Sequence, residues 1–114
     1  MVIGNTTIVR NTQEHNKYEW NFYIKPVEGD PPLSEHIKQI VVRLHETFNP
    51  PVRKFTMKGD RQVELGCVGW GTFRINVEIV WKKGYNEDQT ELYHDLRFVP
   101  VHERVVHTSL TLKK

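Results

Sequence analysis

The chain of 114 residues has a single cysteine, Cys67. One thiol cannot close an internal disulfide or build a cysteine-based zinc cluster, and it fits a reducing compartment better than a secreted scaffold. Serine is almost as scarce. Only Ser34 and Ser109 occur, neither within a Gly-x-Ser-x-Gly elbow, and Cys67 falls inside a strand-like run rather than at a helix start, so nothing is set up for covalent catalysis. No enzyme is expected. Long apolar runs are missing too: nothing approaches the ~20 residues that span a bilayer as a helix. The opening MVIGNTTIVR lacks the charged-then-apolar order of a signal peptide. No membrane partner is expected, and an intracellular site is. Neither sign of charge dominates, since 16 basic residues face 14 acidic ones for a formal +2. That is a weak basis for holding a phosphate backbone. The basic stretch RKFTMKGDR and the pair Lys82 and Lys83 read as solvated strand ends, so no direct nucleic-acid contact is expected. The histidines, at positions 15, 36, 45, 94, 102 and 107, follow neither an HExxH nor a finger spacing. Neither a metal site nor a cofactor is anticipated.

What is present is alternation. Tyr18, Trp20, Phe22 and Ile24 alternate with Glu19, Asn21, Tyr23 and Lys25, and Ile75, Val77, Ile79 and Trp81 alternate with Asn76, Glu78, Val80 and Lys82. Both patterns read as half-buried strands. Ile40, Val42 and Leu44 share a face, as do Val63, Leu65 and Cys67, and again Leu92, His94, Leu96 and Phe98. Runs near both ends, VIGNTTIV and ERVVHTSLTL, add further strands, and Pro26, DPP, NPP, KGD and GYNED punctuate them as turns. No stretch has a convincing helical period. The expected fold is an all-β, immunoglobulin-like antiparallel β-sandwich of about 7–8 strands in one domain of 114 residues, with its loops clustered at the two ends. Trp20 and Trp81 belong to the core, and Cys67 reads as a small buried hydrophobe.

One stretch breaks this regularity. CVGWGTF holds Trp70, the largest side chain, between Gly69 and Gly71, a placement that suits a bent backbone or one approached closely by something else. LHETFNPP, ending the run at Leu44–Pro51, is the second loop of interest. Together with YEWNFYIKP before and LYHDLRF after, in this order, these elements resemble the YEATS-domain family of chromatin readers. The likeness is strongest to its branch found in histone acetyltransferase and chromatin-remodelling complexes. It runs over residues 2–98, leaving 99–114 as a last strand or the start of a further segment.

The resemblance implies an immunoglobulin-like fold, a nuclear location, and recognition of acylated lysine, acetyl or crotonyl in type, on a histone tail, with H3 the expected one. Partners would be that tail and subunits of a histone-acetylating or remodelling complex. Carried over by position, the pocket residues are His45, Thr47, Phe48, Gly69, Trp70, Gly71 and Phe73. Phe48 and Trp70 would sandwich the flat amide, the Thr47 hydroxyl would accept its N–H, and the Trp70 backbone N–H would donate to the acyl carbonyl. His45 would wall the pocket and orient Thr47, Asp95 would meet an arginine beside the modified lysine, and Asn16 is the second expected histone-peptide contact. Two positions depart from the family: threonine stands at 47 where serine is usual, and Asn16 stands where several members place an aromatic or histidine against the ligand.

Each assignment has a plainer alternative in the residues themselves. Phe48 before NPP could plug the end of the sandwich, and Trp70 and Phe73 could be ordinary turn aromatics. His45 and Asp95 both fall on the face opposite the apolar positions and could be merely solvated. At the level of function, the alternative is an interaction module of a chromatin complex with no working acyl-lysine pocket.

Overall fold

The computed structural model describes residues 1–10, 17–69, 71–83 and 90–106. Its strands are β1 (Val2–Arg10), β2 (Lys17–Lys25), β3 (Ile37–Arg43), β4 (Val52–Thr56), β5 (Val63–Gly69), β6 (Arg74–Trp81), β7 (Thr90–Asp95) and β8 (Val101–Val105), with one 3-10 turn at Leu33–Glu35. They form two four-stranded sheets, ordered β5-β2-β1-β8 and β4-β3-β6-β7, and every neighbouring pair is antiparallel. The all-β sandwich expected from the alternation is the fold observed. β4 is the strand the alternation did not reveal, because its five residues follow Pro50 and Pro51 and carry Arg53 and Lys54 where a core strand would be apolar. The expected final strand over 103–112 is observed as β8, which starts and stops earlier; residues beyond 106 lie outside the described part.

The core follows from side-chain parity. Trp20, Phe22 and Ile24 of β2 meet Ile40 and Val42 of β3 and Ile75, Val77 and Ile79 of β6, all at 1% exposure or less. Each such side chain contributes about 1.5–3 kcal/mol by leaving water. One polar link bridges the sheets through this core. His94 on β7 donates its Nε2–H to Asn5 Oδ1 on β1 at 2.8 Å, and the Asn5 amide donates to the Arg97 carbonyl at 2.8 Å. Both side chains are buried, so the pairing removes a desolvation cost that either alone would impose.

Outside the core, β1 passes between β2 and β8 with Gly4 opposite both Tyr23 and Glu103. The Tyr23 hydroxyl donates to the Glu103 carboxylate across this gap. A Cβ at Gly4 would lie 2.5 Å from Glu103 Cβ, 2.7 Å from the Tyr23 hydroxyl and 2.9 Å from the His102 carbonyl. Glycine is therefore required there by close approach, with no unusual backbone angle involved.

Gly4→Ala should destabilise the fold by about 1–3 kcal/mol in urea denaturation, because a carbonyl and a β-carbon must both move. The buried histidine gives a second expectation. Burial above all, then the neighbouring charges of His102 and Arg104, push the His94 imidazole down to about 4, with Asp95 opposing. The folded state thus stays neutral where the unfolded chain takes up a proton. The stability is complete above about pH 6.5 and is lost as pH falls towards 4, on the order of 3 kcal/mol in all. Urea midpoints measured across that window should slope for the native protein and flatten for His94→Gln.

Candidate functional site

At one end of the sandwich two loops face each other. The first follows β3 and is closed at its base by the Leu44 N–H donating to the Pro51 carbonyl at 2.7 Å; within it, the Phe48 N–H donates to the His45 carbonyl at 3.0 Å. In this tight turn His45 and Thr47 are exposed while Phe48 is half-buried against the core. The second loop joins β5 to β6, and the Phe73 carbonyl accepts from the Leu96 N–H at 3.1 Å, tying it to the chain after β7.

The rings that meet here form one cluster. Phe48 and Phe73 lie 5.5 Å apart by centroid, His45 and Phe73 5.9 Å. Beneath them Trp20 packs edge-on against Phe48 at 6.1 Å and Phe73 at 6.0 Å. Aromatic pairs at such spacings are worth about 0.5–1.5 kcal/mol beyond their burial. Trp20 is a core residue, 1% exposed, yet it is also the floor on which the loop aromatics rest. Its indole Nε1 is buried without a hydrogen-bond partner among the described residues.

Polar geometry in the first loop is equally defined. His45 Nδ1 lies 3.0 Å from Thr47 Oγ1 and accepts from the Thr47 backbone N–H at 3.3 Å. An accepting Nδ1 places the ring proton on Nε2, so the Thr47 hydroxyl points its own hydrogen at Nδ1. Its oxygen lone pairs stay free to accept from elsewhere. A cleft of about 790 Å³ opens beside this arrangement, and His45, Thr47, Phe48, Gly69, Gly71 and Phe73 all line it. Six of the seven expected pocket residues are thus brought to one surface. Trp70 and Asn16 lie outside the described residues.

The glycines of the second loop behave unlike Gly4. Left-handed backbone occurs at Gly29 (φ 89°) and Gly59 (φ 54°). A Cβ at Gly69 would make only ordinary contacts, at 3.9 Å to Trp20 and 4.0 Å to Phe48, and one at Gly71 would meet nothing. Packing among the described residues therefore does not demand glycine at either place.

Two further residues singled out in the sequence, Asp95 and Cys67, lie within the described part. Asp95 faces outward on β7 and accepts from Arg74 Nε at 3.0 Å; that hydrogen bond holds its carboxyl below the usual carboxylate range. It has a partner within the chain and does not line the cleft. Cys67 is half-buried rather than wholly enclosed and forms part of the cleft wall. Burial pushes its thiol up, against the nearby positive charge of Arg53. Sequence reasoning missed Asn49, Arg53 and Val68 as lining residues. For Arg53 the available signal was an arginine in the run after NPP, but without β4 recognised it had no face.

Comparison with known proteins bears on this geometry. The profile of the YEATS family matches residues 15–100. The chain belongs to the YEATS family. Among curated relatives, the Protein AF-9 homolog of Kluyveromyces lactis is 32% identical over 106 residues, covering 88% of this chain and 46% of the relative. That of Eremothecium gossypii is 36% identical over 90 residues, covering 79% and 41%. Transcription initiation factor TFIID subunit 14b of Arabidopsis thaliana is 27% identical, covering 100% and 41%. The chain spans less than half the length of these relatives. Among solved structures, the Yaf9 YEATS domain recognising an H3K122suc peptide superposes with a TM-score of 0.72 at 29% identity, covering 96% of this chain and 83% of that one. The Yaf9 YEATS domain bound to H3K27ac gives 0.71 at 26%, covering 90% and 78%. The immunoglobulin-like sandwich is thus shared with Yaf9 YEATS domains solved as recognising an H3K122suc peptide or bound to H3K27ac.

Gly71→Ala should leave the urea denaturation of this YEATS domain unchanged, within about 0.5 kcal/mol, because its Cβ enters open space. The contrast with Gly4→Ala, in the same buffer and with the same readout, checks that the two glycines serve different ends.

Proposed function

We propose that this YEATS domain binds acylated lysine on a histone tail, the acyl amide lying between Phe48 and Trp70. The observation that carries the reading is the His45–Thr47 pair: a hydroxyl oriented by an imidazole, with its lone pairs free, at the lip of an aromatic cleft. Acylation removes the lysine charge and leaves a planar amide on an apolar stem. Such a group needs ring faces along its stem, one acceptor for its N–H and one donor for its carbonyl. Thr47 is the acceptor, the Trp70 backbone N–H the donor, and glycine at 69 and 71 lets the backbone come close. Unmodified lysine fails at this site because its ammonium would lose water without gaining an anion.

The Yaf9 structures bound to H3K27ac and H3K122suc support extending the reading to histone H3 peptides. A nuclear protein working within a histone acetyltransferase or remodelling complex is the setting that fits, and no catalytic step is part of the reading. The cleft is open, so a flat, conjugated crotonyl group gains ring contact over acetyl at little cost in rotamer freedom.

Calorimetry with one H3 peptide in acetyl, crotonyl and unmodified forms tests this. The expected order is crotonyl above acetyl above unmodified lysine. Thr47→Val should weaken acetyl binding by about 1–3 kcal/mol by leaving the ligand N–H unsatisfied, while Thr47→Ser changes it little. Equal affinity for acetylated and unmodified peptide would refute the reading.

A further inference from the structure

We propose that Arg74, by engaging Asp95 at the rim of the cleft, makes this domain disfavour a cationic residue beside the acyl-lysine and favour an acidic one. This rests on the acyl-lysine reading above and deepens it.

Arg74 opens β6 directly after Phe73, a lining residue of the cleft, so the two Cα atoms lie about 3.8 Å apart. Its partner in register on β7 is Asp95, and the next residue, Leu96, donates its N–H to the Phe73 carbonyl at 3.1 Å. Both strand ends are thereby fastened to the cleft wall. Parity turns the two charged side chains away from the core: Arg74 and Asp95 are exposed, while Ile75 and Leu96 are buried. Two contacts then hold the arginine in place. Its Nε–H donates to Asp95 Oδ1 at 3.0 Å, and its guanidinium carbon lies 5.5 Å from the centre of the Tyr93 ring, the same-face neighbour along β7.

Asp95 is therefore already engaged within the chain. The hydrogen bond from Arg74 above all, and beyond it the charges of Arg74 and Arg97, hold its carboxyl below the ordinary range against the opposing effect of desolvation. Two guanidinium groups thus bear on one carboxylate, and the balance of charge at this rim is positive. Only Nε of Arg74 is used in the ion pair, so its terminal nitrogens keep donors for an incoming carboxylate. Among the described residues the other ion pair is Arg43 with Glu78, which leaves no second acid on Arg74. A residue flanking the acyl-lysine is one extended step of about 3.3–3.6 Å away along the peptide. That is well inside the range of about 10 Å over which charges act at 0.1 M salt. A peptide cation passing Phe73 must compete with Arg74 for Asp95, whereas a peptide acid finds donors waiting.

The test uses an acetylated histone H3 peptide in which the residue before the acetyl-lysine is arginine, alanine or glutamate, and a second set in which the residue after it is varied in the same way. Calorimetry at low salt should rank glutamate above alanine above arginine in one of the sets, with about threefold per step, the size expected of exposed ion pairs. Raising the salt should compress the series. Arg74→Gln releases Asp95 to the peptide, so the glutamate preference should vanish and arginine should gain. Asp95→Asn should do the reverse and widen the preference for glutamate. Each result is a ratio between peptides on one protein, so a general loss of stability in a variant does not move it. A flat or arginine-first ranking by the native domain in both sets, or a glutamate preference that survives Arg74→Gln, overturns the proposal, while tighter binding of the alanine peptide when acetylated than when unmodified leaves the acyl-lysine reading standing. Failure of that last comparison overturns both.

Discussion

Packing of Trp20 against Phe48 and Phe73 is the contact on which the rest of this end of the molecule depends. Trp20 sits at the centre of β2, paired to β1 on one side and β5 on the other, and its ring meets Phe48 from the loop between β3 and β4 of the opposite sheet and Phe73 from the loop that crosses from β5 to β6. Loops ordinarily lose definition away from the strands that bear them. Here two of them are held against a rigid indole, so the cleft wall is an extension of the hydrophobic core rather than a surface feature. Burial and site geometry are the same interaction seen from two sides.

That continuity explains the division of labour among polar groups. In the core the buried His94 and Asn5 side chains satisfy each other and pin β7 to β1 through the sandwich. At the cleft the logic is reversed. His45 holds the Thr47 hydroxyl in one direction and leaves its lone pairs unused, and Arg53 is fixed by a backbone carbonyl yet keeps donors to spare. Groups left unsatisfied in water cost little. They become costly, and so selective, only when a ligand covers them.

The glycines separate along the same line. Gly4 is dictated from within, because Tyr23 and Glu103 close over the place its side chain would occupy. Gly69 and Gly71 meet no such obstruction. Glycine is thus required by packing at Gly4 and not by packing among the described residues at Gly69 and Gly71.

Alternation alone was enough to determine the all-β class, most strands and the core, since a period of two residues forces one face of each strand inward whatever the partner strand is. The order of LHETF, GWGTF and the flanking strands likewise made the family legible, and with it His45, Thr47, Phe48, Gly69, Gly71 and Phe73 as neighbours on one cleft. Three things were decided only by tertiary structure. Asp95 found Arg74 across a strand pair, a contact set by the register of β6 and β7 and invisible in a linear reading. Trp20 became floor as well as core because the β3–β4 loop and the β5–β6 crossover both fold down onto it. Arg53 turned inward because β4 pairs with β3 in a register that places it opposite Val42, and no pattern in a five-residue strand following two prolines announces a face. Local periodicity encodes which side of a strand is buried; which distant groups that side then meets depends on register and sheet order, which are set by the whole chain at once.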